Sequence, residues 1–420
     1  MTVARESPEP NQLRKRNFVL NAAEGAIFSS SGAFVNPQTV LPALVARLGG
    51  GEIAVGALGV MVYACVFLPQ LLSARYVETH AWKKRWALTW GAVHRSLLLV
   101  MAGAVFAFGG TSPALALGLF LFLYMLMQSA IGIATPGWFD LFAKVTSPNQ
   151  RGRLIGIRTS MGGGGALVCG FILTWFLGRF LFPFSFVAAI LVAFVLQAVS
   201  FTLQVFLVEA EPSVVHTRRP VITFLRELPD ILRNNPPFRR FLEASMVLTV
   251  ATMPIGFFTV HALQSLGATE ANVGEFTMMM VAVQMVSAPI NGFIADRFGN
   301  KSVLVIAAAA LLCASLTALV APTVGWYVLV YLFLGVNVGT ETMARYSISI
   351  EFGPVKKRST YIGLMNTVLA PLYLCGMLGG ILGARWGLKT VFAIGAAFSI
   401  AGILILLFRV EEPVRHGSPH

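Results

Sequence analysis

Gly292-Phe-Ile-Ala-Asp296-Arg297-Phe-Gly299-Asn-Lys301 is a short charged turn set between two apolar runs. Residues 276–295 and 302–319, on either side, carry no charged side chain. Each run is close to the ~20 residues a helix needs to cross a bilayer. The turn therefore reads as the link between two spanning helices, and the rest of the chain can be placed from it.

The chain has 420 residues, 56% of them hydrophobic and only 12% charged, with a mean hydropathy of +0.75. Soluble domains carry about twice that share of charge. Apolar runs recur at 17–45, 53–72, 86–108, 114–142, 155–180, 186–208, 241–266, 276–295, 302–319, 326–350, 361–386 and 391–408. Their spacing predicts an all-α membrane protein with twelve transmembrane helices. A more polar stretch, 209–240, divides the chain into segments 1–208 and 241–420. Within it, 224–233 is amphipathic and is expected to lie as a helix on the membrane surface.

The net charge of +13 would suit nucleic acid if it clustered on one soluble element. It alternates loop by loop instead. Arg14-Lys15-Arg16, Arg75 with Lys83-Lys84-Arg85, Lys144 with Arg151 and Arg153, Arg297 with Lys301, and Lys356-Lys357-Arg358 fall in alternate loops. The opposite loops hold Arg47, Arg179, Arg385 and Lys389. This is the positive-inside pattern, and it puts both termini in the cytoplasm. The partner of the basic charge is the lipid surface, and nucleic acid is excluded. Short loops without insertions point to a bacterial inner membrane. Cys65, Cys169, Cys313 and Cys375 lie in apolar runs without metal-ligand spacing, so no cofactor is implied. The glycine run 162–165 has no Lys-Ser or Lys-Thr after it, so ATP coupling has no motif.

The turn at 292–301 resembles the Gly-x-x-x-Asp-Arg-x-Gly-x-Lys loop signature of the major facilitator superfamily. The resemblance implies two pseudo-symmetric six-helix bundles, a monomer, and transport of a small-molecule substrate. Arg239-Arg240-Phe241-Leu242 opens the second half much as Lys15-Arg16-Asn17-Phe18 opens the first. The resemblance also implies a latch on the cytoplasmic side. Gly292 would let two helices approach, with Gly299 the second signature glycine. Asp296 would face the N-terminus of span eleven, and Arg297 would pair with Glu351 at the end of span ten. The first-half copy departs from the signature: Ala74 stands in the aspartate position and Gln70 in the glycine position, leaving Arg75 with Asp140 as its expected partner. Span five lacks the Gly-Pro pair that is usual in the drug antiporters of this superfamily.

Ionisable groups inside a span are costly and are candidate functional residues. Asn17, Asn21, Glu24, Phe28 and Ser31 recur at helical spacing on span one. Glu24 is the first candidate for binding substrate or protons, with Asn21 beside it. Asn337, Glu341 and Arg345 share one stripe of span ten, where Glu341 and Arg345 can pair. Gln128 adds a polar position on span four. Arg95 is expected to snorkel to the surface, and Arg158 is expected to belong to a loop. The resulting reading is a proton-coupled secondary transporter, either exporting a small organic compound or importing a sugar or organic acid by symport. The competing class is a membrane-embedded enzyme or a transporter-like sensor. The short loops offer neither a catalytic cluster nor an output domain.

Overall fold

The computed structural model describes residues 10–213, 230–353 and 358–412. Of the helix expected over 224–233, only 230–233 falls among them, and those residues are helical. The described residues contain helices and no strand. The first half comprises α1 (Pro10–Ser31), α2 (Val40–Arg47), α3 (Glu52–Glu78), α4 (Lys83–Phe108), α5 (Pro113–Val145), α6 (Arg151–Arg179) and α7 (Phe184–Val205). The second comprises α8 (Pro236–Ala251), α9 (Ile255–Ser265), α10 (Glu270–Phe298), α11 (Asn300–Val320), α12 (Val324–Phe352), α13 (Arg358–Leu369), α14 (Cys375–Trp386) and α15 (Leu388–Arg409).

Eleven helical segments among the described residues are long and apolar enough to cross a membrane. α1 followed by α2 stands in the place of the twelfth expected span, and Arg14-Lys15-Arg16 with Glu24 make α1 more polar than the other eleven. Three spans expected to be continuous are broken. Span one stops at Ser31, and the Asn36 side chain then accepts hydrogen bonds from the Gln38 and Thr39 N–H groups at 2.9 and 3.1 Å. Span seven turns at Thr252–Pro254 between α8 and α9. Span eleven tightens to a 3-10 helix over Ala370–Leu374. Each break holds a proline, Pro37, Pro254 or Pro371, which removes a backbone donor. Backbone freed at membrane depth is tolerated where protein covers it.

Helices in lipid gain little from hydrophobic burial against one another, so close backbone approach and polar contacts hold them together. The glycine run shows this. Gly162 and Gly165 of α6 face Ser29 and Ser30 of α1, while Gly163 faces Met285 of α10. One small-residue stretch therefore lets α6 touch its own half and the other half. The second point of contact between the halves is α3 against α14. A Cβ on Gly56 would overlap the Gly376 carbonyl, and one on Gly380 would lie 2.6 Å from the Glu52 carbonyl oxygen.

A polar clamp fixes the 208–213 segment to the first half. Glu209, with a side chain 2% exposed, accepts from the Lys83 and Lys84 backbone N–H groups at 3.0 and 2.9 Å and from Lys144 Nζ at 2.6 Å. It thus places an anion on the N-terminus of α4. Glu209→Ala is expected to cost about 3 kcal/mol, since it takes the counter-charge from a half-buried lysine and the acceptor from two backbone donors. A thermal melt of the purified variant tests this; an unchanged midpoint would show the clamp to be idle.

Candidate functional site

The polar face of α1 meets three other helices of the first half. Arg158 Nη1 donates to Glu24 Oε2 at 2.7 Å and to the Asn21 carbonyl at 2.7 Å, and also contacts Asn21 Oδ1. Ser200 of α7 donates to Glu24 Oε1 at 3.3 Å. The Arg158 guanidinium lies over the Trp138 ring, 5.1 Å from its centre. Arg158 is thus the interior partner of Glu24, where a loop position was expected. It stands two turns into α6, beyond the surface arginines Arg151 and Arg153. The signal in the sequence was the buried carboxylate itself, which needs a cation.

Arg95 is likewise inside, where snorkelling was expected. It is 7% exposed and donates to the Gln197 and Gly91 carbonyls at 2.8 and 2.9 Å. Its guanidinium sits over Phe28 and Phe201, 5.6 and 5.0 Å from their ring centres. Aromatic rings and carbonyls thus stand in for the aqueous exit. His94 bonds Gln197 Oε1 at 3.0 Å. Asn21, Glu24, Arg158, Ser200 and Gln197 with Arg95 form one polar layer drawn from α1, α4, α6 and α7. Gln128 is buried on α5, next to Met127, whose carbonyl contacts His94 at 3.4 Å.

The second-half stripe divides. Glu341 and Arg345 are an ion pair along α12, and Arg345 Nη1 donates to Thr249 Oγ1 of α8 at 3.0 Å. Asn337 turns to α11 instead, donating to the Ala307 carbonyl at 2.9 Å. Between the halves, Tyr63 of α3 stacks on Tyr373 of the 3-10 turn, with ring centres 3.9 Å apart and planes 10° apart. Both rings line a cavity of about 50 Å³ with Gln38, Thr252, Gly256 and Cys375.

At the end of the molecule bearing α2, side chains cross from one half to the other. Arg47 pairs with Glu270, which also accepts from Ser185 at 3.2 Å. Thr39 and Thr277 hydroxyls meet at 2.6 Å. Thr259 donates to the Gln38 carbonyl at 3.0 Å.

At the other end lies the 292–301 turn. Gly299 has φ +86°, in the left-handed region that glycine alone enters without strain, and it separates α10 from α11. Asp296 and Arg297 are exposed. The Arg297 guanidinium lies 5.4 Å from the Phe298 ring centre, while Glu351 accepts from Asn300 Nδ2 at 2.8 Å. Asp140 lies 3.7 Å from Lys83 Nζ; the Arg75 side chain is outside the described residues. The Glu412 carboxylate accepts from the Lys301 N–H at 3.3 Å, and burial, with Glu351 nearby, holds its pKa above the usual carboxylate value.

A Cβ on Gly292 would meet nothing within 4 Å among the described residues. Gly292→Ala is therefore expected to leave this conformer as stable as before or more so, by up to about 1 kcal/mol. If transport falls while the melting temperature holds, the close helix approach at Gly292 belongs to a different conformer. Undiminished transport would remove that approach from the account.

Two helical bundles meeting at a seam, each holding buried charges, make a multi-pass integral membrane protein. The profile of the Major Facilitator Superfamily matches residues 24–370 and 244–420, and the chain belongs to that family. It is 28% identical over 182 residues to the multi-drug resistance efflux pump PmrA of Streptococcus pneumoniae, spanning 42% of this chain and 44% of that one. It is 27% identical over 186 residues to the PmrA homolog of Lactococcus lactis, with the same shares. The matches span less than half the length of these relatives. Among solved structures, the nucleoside transporter NupG superposes with a TM-score of 0.65 at 15% identity, covering 95% of this chain and 100% of that one. A D-xylose–proton symporter superposes at 0.66 and 14% identity, covering 96% and 98%. These likenesses establish the fold.

Proposed function

We propose that the protein is a proton-coupled secondary transporter that moves a small organic solute by alternating access, in the direction of efflux. It sits in a bacterial inner membrane with both termini in the cytoplasm. The observation that carries the proposal is the interlocked seam. Side chains from both halves interlock at the α2 end, and the cavity at Tyr63–Tyr373 is too small for an organic solute. Access to a site there requires the halves to rock on one another and part at the α3–α14 contact. The α2 end is the outer one by the charge pattern, and it is closed here. Efflux is supported by the partial likeness to the PmrA pumps.

Glu24 and Glu341 supply the proton chemistry in this reading. Each carboxylate is held by an arginine of its own half, and protonation would free that arginine for a new contact. Arg297 and Asp296 then act at the cytoplasmic end, in motion rather than in binding. Asp296→Asn is expected to slow exchange between conformers while leaving solute affinity within about twofold, a difference below ~0.5 kcal/mol.

Distances between spin labels test alternating access. Labels at 181 and 326 report the α2 end, and labels at 78 and 298 report the opposite end. In proteoliposomes, a change of pH or an added solute should widen one distance while narrowing the other. Both distances staying fixed under every solute and gradient would contradict the proposal.

A further inference from the structure

Three guanidiniums, those of Arg95, Arg158 and Arg345, lie inside the bundles among the described residues, with two carboxylates, those of Glu24 and Glu341. The interior carries an excess positive charge. Burying such a charge without a partner is costly, so an incoming anion is favoured there over a cation.

Arg345, paired with Glu341, is the buried guanidinium within electrostatic reach of the seam tyrosines Tyr63 and Tyr373. It is 4% exposed. Its Nη1 is bonded to Thr249 Oγ1, and Glu341 lies against Nη2. Its Nε has no hydrogen-bond partner among the described residues. A guanidinium offers five N–H donors in a planar fork suited to a carboxylate. The Glu341 contact therefore leaves donor capacity unfilled. Thr249 also joins Arg345 to the cavity wall, since its carbonyl lies 3.7 Å from Cys375 Sγ. Tyr63, Tyr346 and Tyr373 are the other titratable groups within electrostatic reach of Arg345.

The other half of the site is aromatic. Tyr63 and Tyr373 come from opposite halves and stack face to face, with Phe67 6.3 Å from Tyr373. When the halves part, two ring faces are uncovered beside the guanidinium. A planar ring offers each tyrosine a replacement stacking partner, and an anionic group on that ring reaches Arg345.

Resting on the transport reading above, we infer that the solute is an aromatic anion whose ring inserts between Tyr63 and Tyr373 and whose charge displaces Glu341 from Arg345. Glu341 is then an internal competitor for the solute. Removing its charge strengthens solute binding.

The test uses the purified full chain in detergent and three probes of nearly the same shape: benzoate, benzamide and benzamidine. Thermal shift reads binding, because a ligand for the folded state raises its melting temperature. Benzoate should stabilise the wild type most and benzamidine least. Glu341→Gln should tighten benzoate binding about tenfold, the value of one charge-assisted bond regained. Arg345 alone cannot be removed without stranding Glu341, so the paired variant Glu341→Gln with Arg345→Gln serves as the control. It should fold with unchanged helicity and lose the benzoate response. Tyr63→Leu should weaken all three probes. Preference for benzamidine, indifference to charge, or no shift from any probe would overturn the assignment. Label distances that still move, with flux of some other solute, would then leave the transport reading standing.

Discussion

Glu24→Ala is expected to lower stability by about 3–5 kcal/mol and to abolish proton-driven transport. The loss follows from what remains. Arg158 is largely buried, its guanidinium sits over Trp138, and its contacts are with α1. Without the carboxylate it is a buried cation held by the Asn21 amide and carbonyl alone, and breaking one partner of such a pair carries a cost of that size. Glu24→Gln separates the two roles. It keeps the shape and an acceptor oxygen for Arg158, so the stability loss should be smaller, while the exchangeable proton is gone. Replacing Glu24 and Arg158 together with glutamine removes both charges and should recover most of the stability lost by Glu24→Ala, with transport still absent. Thermal melts of Glu24→Gln, Arg158→Gln and the double variant give the coupling energy. Strictly additive losses would show that Glu24 and Arg158 do not depend on one another.

Gly56→Leu carries the second large effect. At this position α3 and α14 touch backbone to backbone, and a Cβ on Gly56 would overlap the Gly376 carbonyl. Neither partner is a flexible side chain, so the helices must separate. Overpacking typically costs about 1–3 kcal/mol and sometimes more, and here the cost falls on the conformer in which the seam is closed. The population should shift toward conformers with the seam apart. Cys375 reports the change: it is 6% exposed and lines the cavity beside Gly376. With Cys65, Cys169 and Cys313 replaced, maleimide should label Cys375 much faster in Gly56→Leu than in Gly56. Gly59→Ala is the control, because a Cβ there meets nothing within 4 Å although the residue lines the same cavity. Equal labelling in all three would mean that the α3–α14 contact does not hold the seam.

The fold was legible because membrane spans announce themselves by run length, and because the 292–301 turn carries a loop signature at its charged residues. The breaks at Pro37, Pro254 and Pro371 were less so. Pro69, Pro136 and Pro289 also stand in apolar runs, yet their helices continue through them. Whether a proline breaks a span depends on what covers the freed carbonyls, which is a property of neighbouring helices.

The buried polar contacts of the candidate site were legible by half. Glu24 and the Glu341–Arg345 pair could be read from spacing, because an ionisable group in an apolar run stands out. Arg158 could not, because it lies close enough to Arg151 and Arg153 to pass for part of a surface cluster. Arg95 was misplaced for a related reason. A long side chain can reach water or turn inward, and the carbonyls of Gly91 and Gln197 that decide the matter come from its own previous turn and from α7. Asn337 shares the stripe of Glu341 and Arg345, yet its amide serves α11. Spacing puts residues on one face of a helix without saying which neighbour that face meets.

Proton-coupled flux tests the central claim most directly. The protein is reconstituted into liposomes containing the pH dye pyranine, a proton gradient is imposed, and drugs, sugars and organic acids are added in turn. The account predicts that at least one solute moves against its own gradient while dissipating that of the proton. The same solute should move no protons in the Glu24→Gln variant. Solute flux indifferent to the proton gradient, or a Glu24→Gln variant that couples as well as the wild type, would contradict it.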